Sequence, residues 1–494
     1  MTTDSPSKSG NKPGVPLIEI RSIDWVPENE RHGKLWHQAP LWFLGNFQYF
    51  SIPIGFIGPL MGLSLGWTIV ASVLGIGVGT LFMAFHASQG PQMGLPQMIQ
   101  SRAQFGYRGV IVPLLATLFT YLAFNIADTV LLGQGLHSSF GWNATAVSII
   151  AALGAGALAI FGHDWVHKAF RILLYISLPL IAIVTIGVIT GHAGGHTSHV
   201  HYGFVLVAFM AQFTASAAYN ITYAPYVSDY SRYLPKSTKT RSVITAVFFG
   251  ASSSAIWLII LGAWLAIRLG ATDGLAGLQL AGNNVFPYLG DAAALLSALA
   301  LAATMGMNAY GGMLTVLTSI DSFRPIKPTR KARIITIIVL TVVWYGVASV
   351  ISTDAVSTVF TALTLMLYLL VPWTATNLID YFFVRKGHYA ITDLFTPKGI
   401  YGTWAWRGLA AFAIGFAAEI PFMVLPQIGS WSYTGPIAQA LGGIDIAWLV
   451  GLLFTSVSYL IFSRSLNLKS ERRAQAASDE ALSVLEAESV ADNA

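Results

Sequence analysis

The chain has no cysteine among its 494 residues, which excludes disulfides, zinc–thiolate sites and thiol redox chemistry. Charge is scarce as well: Asp, Glu, Lys and Arg make up 10% of the chain, against roughly 25% in soluble proteins. So few charges cannot clothe a soluble protein of this size. There is no HExxH or GxSxG motif, and the apolar segments hold no clustered His–Asp set, which argues against a membrane-embedded enzyme. The net charge is +5, but the basic residues lie dispersed between apolar runs and form no stripe, which argues against nucleic-acid binding. The first 38 residues are polar and lack a hydrophobic signal segment, so no cleaved leader is expected.

What the chain has instead is apolar surface. Hydrophobic residues reach 54% and the mean hydropathy is +0.63. Twelve apolar segments fall near 39–63, 66–89, 109–136, 143–161, 170–191, 201–228, 242–270, 289–320, 333–352, 354–379, 407–428 and 444–463. Each is about long enough to cross a bilayer, and none alternates as a barrel strand would, so all are read as membrane helices. Spans 9 and 10 are separated only by a turn at Ser352, Thr353 and Asp354.

Placing the N-terminus in the cytoplasm puts 26 of the 27 Lys and Arg on the cytoplasmic side, with Arg268 the exception. That bias predicts a multi-pass protein of the plasma (inner) membrane with an even number of spans and both termini inside. The organisation is then an arm (1–38), a membrane domain (39–463) and a charged, Ala/Glu-rich tail (464–494) that is expected to be solvated and to fray, with a short cytoplasmic helix as the alternative. The loop after span 5 carries His192, His196, His199 and His201, but its loose spacing and glycine flanks suit a solvated loop better than a metal site.

Two spans contain helix-breaking sequence. Span 1 reads Ser51-Ile-Pro-Ile-Gly-Phe-Ile-Gly-Pro59, and span 6 reads Ala217-Ala-Tyr-Asn-Ile-Thr-Tyr-Ala-Pro-Tyr226. Proline and glycine in these numbers cannot continue an ordinary helix. Spans 1 and 6 are the first members of two five-span sets, about 39–191 and 201–379, and an odd number of spans inverts the second set. Broken helices at matching places in inverted repeats are where transporters bind substrate. Spans 11 and 12 lie outside the repeats. A channel would not need two broken helices flanking an aromatic–acid site.

Ionisable groups in the hydrocarbon normally face a cavity or a partner. Asp128 lies deep in span 3, one turn after Phe124 and on its face; Asn125 is on the adjacent face. A ring beside a carboxylate suits a flat polar heterocycle, and the carboxylate also suits a coupling proton, because desolvation penalises its charged form. Pairing with a neighbouring helix is the structural alternative. Asn308 in span 8 can serve both donor and acceptor groups of a base edge, or simply join helices. Gln48 and Asn46 in span 1 are weaker candidates, and Glu419 in span 11 is expected to have a structural or interface role.

Three segments resemble the nucleobase–cation symport family, in its purine–cytosine permease branch. Ile54-Gly-Phe-Ile-Gly-Pro59 resembles the family's Thr-Gly-x-Leu-Gly-Pro break. Gln97-Met-Ile-Gln-Ser-Arg-Ala-Gln-Phe-Gly106 resembles its Ser-Arg-x-x-Phe-Gly loop. Ser228-Asp-Tyr-Ser-Arg-Tyr-Leu-Pro235 resembles its Asp-Tyr-x-x-Tyr-x-Pro exit from helix 6. The resemblance implies an all-α membrane protein of twelve transmembrane helices, a LeuT-type five-plus-five inverted repeat plus two extra helices. It also implies a symporter that imports a nucleobase such as cytosine or a purine, or a related heterocycle such as allantoin, a hydantoin or a vitamin pyrimidine.

The family stacks its substrate between aromatics on helices 3 and 6. By position these fall on Phe124 and on Tyr223 beside Thr222. Asp128 and Asn308 take the edge-reading positions, with Gln48, Ile54 and Gly55 at the break of span 1. The family's helix 6 Gly-Trp is here Thr222-Tyr223, its helix 3 Trp is Phe124, and its following amide is Asp128. These departures leave the substrate open and favour a ligand rich in N–H donors or positively charged. No cofactor is implied beyond a coupling ion. Sodium-coupled members carry hydroxyls on helix 8, where Ala298–Ala303 has none and only Thr304 follows. That favours H+, through Asp128, over Na+.

Overall fold

The computed structural model describes residues 24–161, 163–195, 202–324, 329–351, 354–428 and 431–492. Helix forms at all twelve expected positions. Span 1 is three pieces, Gln38–Asn46, Ser51–Ile54 and Ile57–Leu60, and span 6 is two, Leu206–Ile221 and Ala224–Ser231. Spans 2 to 5 are Leu65–Ala87, Ile111–Phe140, Ala144–Phe161 and His163–Ile189; spans 7 to 10 are Thr240–Arg268, Leu289–Asp321, Arg330–Val350 and Ala355–Ile379; spans 11 and 12 are Trp406–Glu419 and Ala447–Ser463. Seven helices among the described residues are long and apolar enough to cross a membrane unbroken, those of spans 2, 3, 4, 7, 8, 9 and 10.

The packing follows the inverted repeat. Spans 1, 2, 6 and 7 form one bundle, in which span 2 lies on span 6 and span 7 on span 1. Spans 3, 4, 8 and 9 form the other, where span 4 meets span 8 as span 9 meets span 3. Span 5 packs on span 8, and span 10 packs correspondingly on span 3. Glycines permit the closest crossings. A Cβ on Gly55 would strike the carbonyl of Ile259, and one on Gly262 would strike that of Ile52, so spans 1 and 7 touch backbone to backbone. Gly75 and Gly79 of span 2 do the same against Phe213 and Ala217 of span 6. Close backbone approach of this kind is how membrane helices gain packing when no hydrophobic effect drives them together.

Four features depart from expectation. The break of span 1 begins at Phe47, four residues before the Pro/Gly run, because the chain leaves helical geometry after Asn46 and resumes only as single turns. Span 11 does not run to 428: it ends at Glu419, where Ile420–Phe422 tightens around Pro421 and a hairpin pairs Val424–Ile428 with Trp431–Thr434. Pro421 and Pro426 cannot donate backbone hydrogen bonds to a continuing helix. A helix, Gly274–Val285, stands between spans 7 and 8, its N-terminus capped by Asp273, whose Oδ1 accepts from the amides of Leu275 and Ala276 at 2.9 Å.

The tail is also a helix, Leu468–Asp492. Glu471 and Ser478 are buried on the molecule, and Ala474 and Leu482 pack against a cluster that includes Tyr389 and Leu394. Its first turns are held by charge: Arg385 Nε and Nη2 donate to the Glu471 carboxylate at 2.7 and 3.0 Å, and Nη1 to Asp380 at 2.6 Å. Burial acts against the guanidinium charge, but Asp380, Tyr459 and Glu471 outweigh it and hold Arg385 above its usual range. Span 10 is capped at its N-terminus by Asp354, whose Oδ1 accepts from Ser357 N; Ser352 and Thr353 lie outside the described residues.

Candidate functional site

The two breaks meet, and polar side chains fill the gaps they leave. Asn46, the last helical residue before the break in span 1, donates to Asn220 at 2.6 Å and to the carbonyl of Ala251 at 2.8 Å. Asn220 stands at the matching place in span 6 and donates in turn to Thr80 Oγ1 of span 2. Gln212 accepts from the amide of Gly58 at 2.8 Å, which satisfies a donor freed by the break. Ser51 Oγ lies 2.9 Å from the Asn46 carbonyl and 3.0 Å from the Tyr219 hydroxyl.

Aromatic rings cover this polar floor. Phe124 of span 3 meets Phe50 of span 1 edge-on at 5.1 Å and Tyr223 of span 6 at 6.2 Å with planes 36° apart. Tyr219 stacks on Phe50 at 5.8 Å. Gln48 donates to Tyr223 at 2.8 Å and to Tyr219 at 3.1 Å. Asp128 is 1% exposed, and its Oδ1 has no hydrogen-bond partner among the described residues. Its carboxyl lies within electrostatic reach of both Tyr219 and Tyr223. Gln48 Oε1 is likewise buried without a donor. Phe124, Asp128, Tyr223 and Gln48 thus converge, and two acceptors without donors stand beside the rings. A flat ring between two others needs about 7 Å, two carbon–carbon contact distances, so a heterocycle stacked there must part Phe124 from Tyr223 slightly.

The other sequence candidates stand elsewhere or serve their own helices. Thr222 Oγ1 donates to the Tyr219 carbonyl at 2.6 Å within its own turn. Gly55 faces span 7, and Ile54 is fully buried beside it. Asn308 donates to Asn125 Oδ1 at 3.1 Å, and Asn125 to the Met305 carbonyl at 3.1 Å. That pair lines a narrow seam with Tyr121, Leu340 and Trp344, on the face of span 3 next to the one bearing Phe124. Thr304 Oγ1 donates to the Ala300 carbonyl of its own helix at 3.1 Å.

Glu419 is fully buried, with both oxygens free of partners among the described residues, and it lies against Gly451 of span 12. His192 Nδ1 sits 2.9 Å from Thr190 Oγ1, while His196, His199 and His201 fall outside the described residues. Among the described residues no group of three or more His, Asp or Glu could hold a metal.

Phe50 and Tyr219 were not singled out from sequence. The available signal was spacing: Tyr219 and Tyr223 are four apart on the helix that ends at the break, and Phe50 lies inside the other break.

Proteins that this chain resembles over most of their length are named as a permease and a transporter. The sequence model of a family described as permease for cytosine/purines, uracil, thiamine, allantoin matches residues 25–451. The chain is 36% identical to the putative purine-cytosine permease YxlA of Bacillus subtilis over 457 residues, 90% of this chain and 96% of that one. Its fold matches Mhp1 in the inward-facing conformation with a TM-score of 0.67 at 19% identity, covering 92% of this chain and 98% of Mhp1. It matches Mhp1, a nucleobase-cation-symport-1 family transporter, closed with bromovinylhydantoin bound, at 0.66 and 18% identity, over 93% and 99%.

Proposed function

The chain belongs to the family of permeases for cytosine/purines, uracil, thiamine and allantoin, and from that premise we propose that it imports a nucleobase such as cytosine or a purine, or a related heterocycle, by ion-coupled alternating access. It is a multi-pass membrane transporter, not an enzyme. The observation that carries the finer reading is the meeting of Phe124 and Tyr223 with two acceptors that have no donor among the described residues, Asp128 Oδ1 and Gln48 Oε1, where both broken helices meet. The rings offer stacking surface, and the acceptors select a ligand edge rich in N–H groups. Substrate entry parts the rings, and the contacts regained around the ligand favour closure of the two bundles over it.

Proton coupling fits this site better than sodium. Asp128 can take a proton or a substrate N–H on the same oxygen, so the two occupancies are linked. Thr304 is turned onto its own helix and Ala298–Ala303 offers no hydroxyl. The arrangement of basic residues supports a plasma-membrane protein with cytoplasmic termini. The deciding measurement is a thermal-shift screen of the purified protein against adenine, cytosine, uracil, allantoin and hydantoin, each with and without sodium. A bound ligand raises the melting temperature by mass action. Stabilisation by an amino-substituted base without sodium is the expected result. No response to any of these compounds would remove the nucleobase reading.

A further inference from the structure

The loop and exit motifs that the substrate site does not use meet each other at the end of the molecule where the segment after residue 24 and the C-terminal helix pack, the termini side. Gln97, from the loop between spans 2 and 3, is their hub. Its backbone amide donates to Asp229 Oδ1 of span 6 at 2.9 Å. Its Oε1 lies 2.6 Å from Ser228 Oγ, again of span 6. Its Nε2 lies 3.1 Å from His86 Nδ1 of span 2 and donates to Gln89 Oε1 at 3.2 Å. Gln89 donates onward to Asn377 Oδ1 of span 10 at 2.8 Å. His86 stacks flat on Trp373 of span 10 at 4.6 Å, and Trp373 Nε1 donates to Ser101 of the same loop at 2.9 Å. From there Asn377 reaches Gln104, and Gln104 donates to Asp380 at 2.7 Å.

Spans 2 and 6 belong to one bundle, while span 10 packs on span 3 of the other and on span 12, with a smaller contact on span 6. This patch therefore joins the two bodies that must separate on one side of the substrate when the transporter opens. Gln97, His86, Gln89, Ser228 and Asn377 are all fully or nearly fully buried. Networks of this kind hold one arrangement firmly while satisfied and lose it together when one member is removed. We infer that Gln97, with Gln89, His86 and Asn377, is the positioning hub of a lock that keeps the termini-side path closed, and that the transport cycle opens this path by breaking the Gln97–Gln89–Asn377 link. The inference rests on the alternating-access reading above.

The test uses the cysteine-free chain with one reporter, Ala224→Cys, at a fully buried position of span 6 between the aromatic rings and the lock. A membrane-impermeant maleimide is applied to proteoliposomes from the termini side and, separately, from the opposite side, without substrate. Gln97→Ala and Asn377→Ala are each expected to speed labelling from the termini side about tenfold, the scale of one or two lost hydrogen bonds, and to slow it from the opposite side. The double variant should not exceed the larger single effect by much, since both break one network. Where an alanine variant does not fold, Gln97→Met keeps the volume and removes the contacts. Unchanged labelling from the termini side overturns the lock. Faster labelling from both sides also overturns it, because a merely loosened fold does that. As no substrate is present, the result is independent of which heterocycle is carried.

Discussion

Asp128 stands one turn beyond Phe124 with an oxygen that no donor among the described residues reaches, so its role can be separated from that of the rings by substitution. Asp128→Asn keeps shape and one acceptor but cannot titrate. It is expected to retain binding in a thermal-shift assay and to lose accumulation driven by a pH gradient. Asp128→Ala should lose both. Wild-type pH-driven accumulation in Asp128→Asn would end the coupling role and leave a substrate contact at most. Phe124→Ala and Tyr223→Ala remove stacking surface worth about 1–3 kcal/mol per base, so each should weaken affinity roughly tenfold or more. Normal affinity in both, at normal surface expression, would take the rings out of the site. Asp445, between spans 11 and 12, gives a pH effect of another kind. Burial lifts its carboxyl to about 6, even though it accepts from the Tyr368 hydroxyl. The folded state keeps that proton where the unfolded chain has lost it, so stability falls as pH rises from about 4 to 6. Asp445→Asn should flatten that segment of a melting-temperature profile.

At the level of elements, the helix breaks were legible because proline and glycine act locally. The placement of side chains around them was not. The motif that marks the break of span 1 places Gly55 against span 7 rather than among the rings, and nothing in the residues around it says which neighbour the glycine faces. Asn308 carries the right amide, yet it lies one helix face away with Asn125, a rotation that spacing alone does not fix. Gly55→Ala or Gly262→Ala should cost about 1–3 kcal/mol by overpacking backbone against backbone, seen as a lower melting temperature with substrate affinity little changed. A large loss of affinity at normal stability would instead return Gly55 to the site. The docking of the tail is hidden for a related reason: its composition is that of a solvated helix, and the residues that anchor it, Arg385 and Asp380, lie far away in sequence. Glu471→Ala leaves a buried guanidinium short of a partner. Asp380 still pairs the guanidinium, so the loss is only part of the about 3–5 kcal/mol that unpairing a buried charge costs, and the variant should melt below Glu471→Asp.

For the whole molecule, the sequence carried the class of fold through two global signals, hydropathy and the distribution of basic charge. The charge bias makes the strongest claim, since 26 of 27 basic residues follow one rule across twelve crossings. Translocating an arginine or lysine across the bilayer during insertion is disfavoured, so each loop votes on the orientation of the whole. The packing agrees with an even number of crossings: the N-terminal arm and the loop after span 2 are joined by the bond from Val26 N to the Gly94 carbonyl, and the tail meets the same end through Glu471. Which end faces the cytoplasm is then a single binary question, and a chain without cysteine can answer it. Lys236→Cys and Arg330→Cys sit at the end with the termini, and His192→Cys and Thr272→Cys at the other. In intact cells an impermeant thiol reagent should label positions 192 and 272 and spare 236 and 330. Permeabilisation should then bring all four to similar levels. Labelling of 236 or 330 before permeabilisation would invert the orientation. It would also turn the lock around Gln97 from a gate toward the cytoplasm into one facing the outside.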